Sequence, residues 1–254
     1  MAIEPSYLSP EPDAHAGGEM TLLEHLLELR TRVMWAGIWV LLGVSIFFVP
    51  KVGFAVIDFL KQPALLQNAN FKAQAISPME NVVVYFQVAL MGGIAFGMPA
   101  IVYQALRFVS PALTPAEKRW VYPVTVGASA MFLLGLAFGY YVVLPPAYGF
   151  LFSFGSSIAD PNPTITSYID LTTRLILIMG FVFETPILIM GLAKIGLVSA
   201  RQLWGFWRFA IVIAFVISAV ATPTPDPITQ TMVAGPMILL YFFGIGLAWL
   251  VRKN

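Results

Sequence analysis

Apolar stretches recur along this chain and are separated by short polar or proline-containing segments. A transmembrane helix needs about 20 apolar residues, whereas a membrane β-strand shows about ten residues of alternating polarity. Because the apolar stretches here are continuous, they predict an all-α membrane protein of six transmembrane helices, the last two of them short. The predicted spans cover residues 33–49, 82–108, 121–144, 171–195, 209–221 and 228–251, all within one domain, residues 21–252.

The segments outside these spans differ in character. Residues 1–20 are acidic and rich in Pro and Gly, without the basic start of a signal peptide, and we expect a disordered cytoplasmic lead-in. The long connection 51–78 contains KVGFAVIDFLKQP, an amphipathic piece that we expect to lie at the membrane interface. The third span could continue past Pro145 and Pro146 to Phe152.

Composition agrees with a membrane protein, and charge gives its orientation. The chain of 254 residues is 59% hydrophobic and 11% charged, whereas soluble domains carry about 25% charged residues. Lys and Arg favour the cytoplasmic side of a membrane, and ten against four predict that both termini are cytoplasmic. The larger set is Arg30, Arg32, Arg107, Lys118, Arg119, Lys194, Arg201, Arg208, Arg252 and Lys253, and the smaller set is Lys51, Lys61, Lys72 and Arg174.

The motifs of common enzyme classes are missing from the sequence. There is no P-loop, no GxSxG and no HExxH, and the only histidines are His15 and His25. The chain has no cysteine and therefore no thiolate metal site. We expect a protein that is not an enzyme and that needs no cofactor or metal.

The stretch EHLLELRTR, residues 24–32, places charges at the mouth of the first span. On a helix, Glu24, Glu28 and Arg32 follow one another at a spacing of four. One interpretation is an ordinary Glu28–Arg32 pair, worth about 0.2–0.5 kcal/mol. The other is a cytoplasmic carboxylate platform, held rigid because the helix continues into the span.

Glu117, in PALTPAEKR, lies on the same predicted side of the membrane as Glu28. It could simply neutralise Lys118 and Arg119. Alternatively, Glu28 and Glu117 together offer two carboxylates to a pair of incoming guanidinium groups. Arginine binds a carboxylate through a planar fork that lysine cannot reproduce.

Glu184, in GFVFETPIL, lies near the centre of the fourth span. A charged side chain there costs about 2.5–3.5 kcal/mol on insertion scales, so such residues face protein or water and are often functional. The alternatives are a protonated carboxyl group that is hydrogen-bonded within the bundle, or a hydrated polar spot on an open face.

The turn TPTPDPITQT gathers Thr222, Thr224, Asp226 and Gln230 between the last two spans. Asp226 is explained as a helix cap before Pro227. Gln230 is not explained in this way, because it lies inside the apolar run, where an amide can bond to another helix.

Four motifs, in this order and spacing, resemble the TatC family, the signal-receptor subunit of the twin-arginine protein translocase. They are HLLELRTR, GMPAIVYQALRFVSPAL with AEKR, FVFETP and TPTPDPITQ, and the resemblance covers residues 20–250. It implies a concave bundle of six helices in the bacterial cytoplasmic membrane that recognises twin-arginine signal peptides at the cytoplasmic surface. It also implies single-span partners, TatA and TatB, self-association in the complex, and passage of folded proteins driven by the proton-motive force.

The resemblance also assigns roles to residues of this chain. Glu28 and Glu117 correspond to the family's arginine-binding site, with Arg30, Arg119 and His25 beside them. Glu184 corresponds to the intramembrane Glu, and the docking site for partner helices corresponds to Thr222, Thr224, Asp226 and Gln230. Two alternatives from other classes are a proton-coupled small-molecule transporter that uses Glu184, and a structural scaffold in which these polar residues only pack.

Overall fold

The computed structural model describes residues 22–68, 71–110, 114–154, 163–222 and 227–251. These residues are almost entirely helical, and within them only one isolated bridge, between Gln74 and Thr164, has β-type pairing. The prediction of an all-α fold is therefore confirmed. The predicted disordered lead-in, residues 1–20, lies outside the described residues.

The helices follow the predicted spans and add shorter segments between them. The described part of the chain contains α1 (Leu22–Phe47), α2 (Pro50–Gln67), α3 (Pro78–Val109), α4 (Pro115–Lys118), α5 (Val121–Phe138), a π-helical turn (Gly139–Val143), α6 (Leu144–Ser153), α7 (Ile165–Lys194), α8 (Ala200–Gly205), α9 (Trp207–Ala221) and α10 (Pro227–Val251). The predicted amphipathic piece is α2.

Side-chain caps mark where several helices begin. The Ser77 hydroxyl accepts a hydrogen bond from the Met79 N–H at the start of α3. The Thr164 hydroxyl accepts one from the Ser167 N–H at the start of α7. Such caps satisfy backbone donors that have no partner within the helix, so the sequence itself fixes these boundaries.

Five helical segments are long and apolar enough to cross a membrane, and α9 is a shorter apolar helix. The short α9, with 15 residues, agrees with the prediction. The prediction of a short last helix is wrong, because α10 has 25 residues and stays helical through Pro236.

The third span continues without interruption from Val121 to Ser153, well past Leu144. Pro145 and Pro146 have no N–H to donate, which would normally end or kink a helix. The π-helical turn lies directly before them, and the Leu144 N–H donates to the Gly139 carbonyl five residues earlier. This wider turn lets the helix pass the two prolines.

Glycines let the long helices approach one another closely. A β-carbon on Gly93 of α3 would lie 2.9 Å from the Val40 carbonyl oxygen of α1, and one on Gly135 of α5 would lie 2.8 Å from Cα of Gly180 in α7. Small residues at such contacts are typical of membrane helix packing. These glycines therefore pack helices within the chain.

Tyrosine hydroxyl groups fasten α2 to the bundle. Tyr168 of α7 donates to the Leu60 carbonyl at 2.7 Å, and Tyr140 donates to the Phe59 carbonyl at 2.7 Å. We call this end of the bundle the α2 end. The opposite end, which contains the N-terminus of α1 and the C-termini of α3 and α7, is called the α1 end.

Candidate functional site

The first charged turn of α1 contacts α3 at the α1 end. Arg32 donates from Nη2 and Nε to Glu28 Oε1, at 3.0 and 3.3 Å. Its Nη1 donates to the Gln104 side-chain oxygen on α3, at 3.3 Å. The guanidinium group thus joins the carboxylate to a neighbouring helix, and the predicted pair at spacing four is present.

Glu28 nevertheless keeps one oxygen unused. Its side chain is 16% exposed and that of Arg32 is 25% exposed, so both are largely covered. Oε2 is buried and has no hydrogen-bond partner among the described residues. An ordinary surface pair would leave this oxygen in water, and a covered oxygen without a partner can accept a further donor.

Aromatic rings also make contacts at the α1 end. The His25 ring stacks on Phe108 of α3, with centroids 4.3 Å apart. The Arg107 guanidinium group lies 5.7 Å from the centroid of the Tyr103 ring. Arg30 points to the exposed side of α1. His25 thus fixes the start of α1 against the end of α3, while Arg30 stays on the surface.

Glu117 belongs to α4, but its side chain lies outside the described part of the structure. Arg119, two residues later, is exposed. Trp120 holds Lys194 of α7 over its ring, with Nζ 4.6 Å from the centroid. The structure therefore places the backbone of Glu117 on a short helix between α3 and α5, and its pairing with Glu28 stays a prediction.

Glu184 is buried in α7, with 4% of the residue exposed. Its Oε1 has no hydrogen-bond partner within the described residues, so the hydrogen-bonded alternative finds no support there. Neighbouring helices cover the side chain, so it does not lie on an open face in this structure, and hydration at Glu184 stays a prediction. Pro186, two residues later, is also buried.

Gln230 of α10 bonds across to α9, as its place in an apolar run predicted. Its Nε2 donates to the Phe215 carbonyl at 3.1 Å. In return, the Ser218 hydroxyl of α9 donates to the Gln230 carbonyl at 2.7 Å. Thr222 is buried and donates to the Ser218 carbonyl. These reciprocal bonds fix the register between α9 and α10.

Thr224 and Asp226 lie outside the described residues, so the cap expected at Asp226 stays a prediction.

A cavity of about 520 Å³ lies farther along helices α9 and α10. It separates α9 from α7, and its walls are mostly apolar. Its lining residues are Val182, Thr185, Leu197, Val198, Gln202, Leu203, Phe206, Ala210, Ile213, Ala214, Ile217, Met237 and Tyr241.

Three residues of these sites were missed from the sequence: Gln104, Phe108 and Ser218. Gln104 and Phe108 lie in the quoted motif GMPAIVYQALRF, one helical turn apart, and their spacing could have placed them on one face. Ser218 carries no such signal, because a single serine in an apolar helix usually bonds its own backbone. Among the described residues, no group of three or more His, Cys, Asp or Glu side chains could hold a metal ion.

Comparison with known proteins identifies the family. Residues 24–236 match the TatC family, described as Sec-independent protein translocase protein. The TatC protein of Koribacter versatilis is 38% identical over 92% of this chain and 87% of its own length, and that of Aquifex aeolicus is 37% identical over 92% and 97%. The chain also resembles a crystal structure of the twin-arginine translocase receptor TatC, with a TM-score of 0.80, 36% identity and coverage of 91% of this chain and 100% of that one.

The matched region contains the charged turn of α1, α3, α7, α9 and the start of α10 up to residue 236, so it includes Glu28, Glu184 and Gln230. The relatives are protein translocase components, which belong to transport and not to enzyme catalysis. The chain is a multi-pass membrane protein and belongs to the TatC family of the Sec-independent, twin-arginine protein translocase.

Proposed function

We propose that this chain is the receptor of the translocase and binds twin-arginine signal peptides through Glu28 and Glu117 at the cytoplasmic face. The observation that carries the proposal is the state of Glu28. One of its oxygens already accepts a guanidinium group, that of Arg32, and the other is buried without a partner in the described structure. Glu28 therefore already binds one guanidinium group, and its second oxygen is available to accept from another.

The mechanism follows from this geometry. Arg32 and its bond to Gln104 hold the Glu28 carboxylate in place, so an incoming arginine meets an acceptor that needs little reordering. A guanidinium group can donate through two N–H groups at once, whereas a lysine ammonium is a point charge. Glu117, on α4 at the same end, supplies the acceptor for the second arginine, and the exposed Arg30 and Arg119 help to orient the bound peptide.

The orientation proposed here places the α1 end in the cytoplasm. Both termini are then cytoplasmic, and the chain crosses the bacterial inner membrane six times. Five crossings use the long apolar helices, and the sixth uses α9. A helix of 15 residues spans about 22 Å, which is less than the hydrocarbon thickness of about 30 Å. We infer that the bilayer thins beside α9.

We further propose that single-span partners of the TatA and TatB type dock beside α9 and α10. The side chain of Gln230 uses Nε2 within the chain, and no bond to its Oε1 is formed by described residues. That oxygen can accept from a polar group of a partner helix. Thr222, Thr224 and Asp226 belong to the same turn and complete the proposed docking region. Several copies of the chain assemble in the same complex.

The energy source proposed for transport is the proton-motive force. The sequence contains no nucleotide-binding P-loop, so this chain has no motif for ATP hydrolysis. The alternative of a proton-coupled small-molecule transporter draws on one observation, the buried Glu184 with an unpartnered oxygen. Uptake of a solute by vesicles that contain this chain alone would support that alternative and not the receptor.

The test is binding of a synthetic twin-arginine signal peptide to the purified chain, with a twin-lysine peptide in parallel. We expect the wild-type chain to bind the twin-arginine peptide more tightly than the twin-lysine peptide. In Glu28→Gln and Glu117→Gln, affinity for the twin-arginine peptide should fall roughly ten- to hundredfold, as expected for loss of a charge-assisted bond of about 1.5–3 kcal/mol. Glu24→Gln, one turn earlier on the same face of α1 but at an exposed position, is the matched control. Equal binding of both peptides by the wild-type chain would contradict the proposal.

A further inference from the structure

We propose that a cavity at the α2 end binds the phosphate headgroup of an anionic phospholipid. The cavity has a volume of about 420 Å³ and lies where four parts of the chain meet: α2, the segment 71–75, the start of α3 and the start of α7. This inference is independent of peptide recognition, which is proposed for the opposite end. The lining residues are Lys61, Leu65, Phe71, Lys72, Ala73, Ala75, Asn81 and Ile165.

The charge of the cavity selects an anion. Its lining contains two ammonium groups, those of Lys61 and Lys72, and no carboxylate. Lys61 donates to Asp58 at 3.0 Å, but Asp58 is turned to solvent, with 74% of its side chain exposed. Lys72 forms no ion pair with any described residue. Asn81 adds an amide donor, so the cavity offers cationic and neutral donors together.

This concentration of charge is unusual for its side of the protein. The chain carries only four Lys and Arg residues on this side: Lys51, Lys61, Lys72 and Arg174. Arg174 lies outside the cavity and is paired with Asp170, at 2.7 Å. Two of the remaining three converge on one cavity, although a membrane protein generally places few cations on this side.

The walls of the cavity are held by bonds that do not involve the lysines. Gln74 pairs with the start of α7: its N–H donates to the Pro163 carbonyl, and its carbonyl accepts from the Ile165 N–H at 2.8 Å. Phe71 is buried against Tyr168, with ring centroids 5.0 Å apart. The site is therefore built before a ligand arrives, and binding costs little ordering.

A lipid fits this cavity better than a soluble anion does. Leu65, Phe71 and Ile165 give it an apolar side that would contact the glycerol and the upper acyl chain. Leu66 and Ile76, next in sequence to lining residues, are 81% and 80% exposed, as expected where a surface faces lipid. Residues of an interfacial amphipathic helix lie at the depth of the lipid headgroups, where a membrane presents phosphate at high local concentration.

The experiment measures retained lipid. The full chain is purified from bilayers that contain equal amounts of phosphatidylglycerol and phosphatidylcholine, and bound lipid is counted by native mass spectrometry. We expect the wild-type chain to retain more phosphatidylglycerol than phosphatidylcholine. In the Lys61→Gln/Lys72→Gln variant, the ratio of retained phosphatidylglycerol to phosphatidylcholine should fall by on the order of tenfold. Lys51→Gln, on α2 but outside the cavity, is the matched control and should keep the preference.

Two further arms keep the result decisive. Lys61→Arg/Lys72→Arg preserves both charges and should retain phosphatidylglycerol, which separates loss of charge from misfolding. Inorganic phosphate, titrated against the lipid-bound chain, should not displace the lipid at millimolar concentration. Equal retention of both lipids by the wild-type chain, an unchanged preference in the Gln variant, or displacement by free phosphate would each overturn the proposal of a lipid headgroup site.

Discussion

Arg32 places Nη2 3.0 Å from Glu28 Oε1, while Nη1 of the same guanidinium group reaches Gln104 on the next long helix. A pair at spacing four on one helix is usually a weak surface contact. Here the pair is largely covered. Because Arg32 also bonds Gln104 on α3, the pair forms part of the packing between α1 and α3. Glu28 is thereby positioned from within the chain and still keeps Oε2 for another donor.

The first prediction concerns Gln104, which acts on Glu28 only through Arg32. Gln104→Leu should weaken binding of the twin-arginine peptide by roughly three- to tenfold, because loss of one hydrogen bond of about 0.5–1.5 kcal/mol loosens Arg32. In the Glu28→Gln background the same change should have little further effect, since the two residues act in one network. Peptide affinities of the four proteins in this double-mutant cycle are the measurement.

Gln87→Leu is the control for this cycle. Gln87 also lies on α3 but nearer the α2 end, and its Nε2 donates a hydrogen bond to the Thr173 hydroxyl of α7. It should leave peptide affinity unchanged. Additive effects of Gln104→Leu and Glu28→Gln would show that Gln104 does not act through Glu28.

The second prediction concerns the stability of the bundle around Glu184. A buried carboxyl oxygen without a partner lowers stability, and an apolar side chain of similar size removes that cost. Glu184→Leu should therefore increase the free energy of unfolding by about 1–3 kcal/mol and raise the apparent Tm of the purified chain in detergent. Glu184→Gln, which keeps a polar group, should gain less.

Transport measured on the same variants separates stability from function. If Glu184→Leu is more stable but inactive in protein transport, the carboxyl group is kept for function at a cost in stability. A lower Tm in Glu184→Leu than in the wild-type chain would mean that Glu184 has a stabilising partner, and the prediction would be wrong.

The sequence was sufficient to predict the all-α fold because each long helix carries its own signal. The apolar runs are continuous, and caps such as Ser77 and Thr164 stand where helices begin. The Glu28–Arg32 pair and the bond of Gln230 to another helix also follow from local spacing. These features depend on residues that are close in sequence, or on a polar group that must find a partner in an apolar run.

The rest required knowledge of how distant segments meet. Gln104 contacts Arg32 across 72 residues, and no local pattern links the two. The burial of Glu184 depends on how neighbouring helices cover α7, and the residues around Glu184 do not encode that arrangement. The continuation past Pro145 depends on a π-helical turn, which the apolar pattern does not encode.

The third prediction concerns the contact between α9 and α10. Gln230→Leu removes the donor to the Phe215 carbonyl and the free Oε1 together. If partner helices dock there, the chain should copurify with less single-span partner, roughly three- to tenfold less, while its own yield changes little. An interhelical bond in a membrane is worth about 0.6 kcal/mol and up to about 1–2, so folding should survive.

Thr231→Val is the matched control for Gln230. Thr231 is exposed and donates only to the Pro227 carbonyl of its own helix, at 2.6 Å. This variant should keep normal partner recovery. Equal recovery in Gln230→Leu and in the wild-type chain would remove Gln230 from the docking region.

The fourth prediction concerns the contact of α1 with α3. Gly93→Ala would bring a β-carbon to 2.8 Å from the Val44 backbone nitrogen and 2.9 Å from the Val40 carbonyl oxygen, and neither backbone atom can move without shifting α1. We expect a loss of about 1–3 kcal/mol in the free energy of unfolding, as for overpacking of a core. Because α1 carries Glu28, the shift should also weaken binding of the twin-arginine peptide.

The same substitution at Gly37, where a β-carbon meets nothing within 4 Å, is the control. Gly37→Ala should be neutral or stabilising by up to about 1 kcal/mol, since alanine favours the helix. Thermal unfolding of both variants in detergent is the measurement, and an equal Tm for the two would show that α1 and α3 are not in close backbone contact at Gly93.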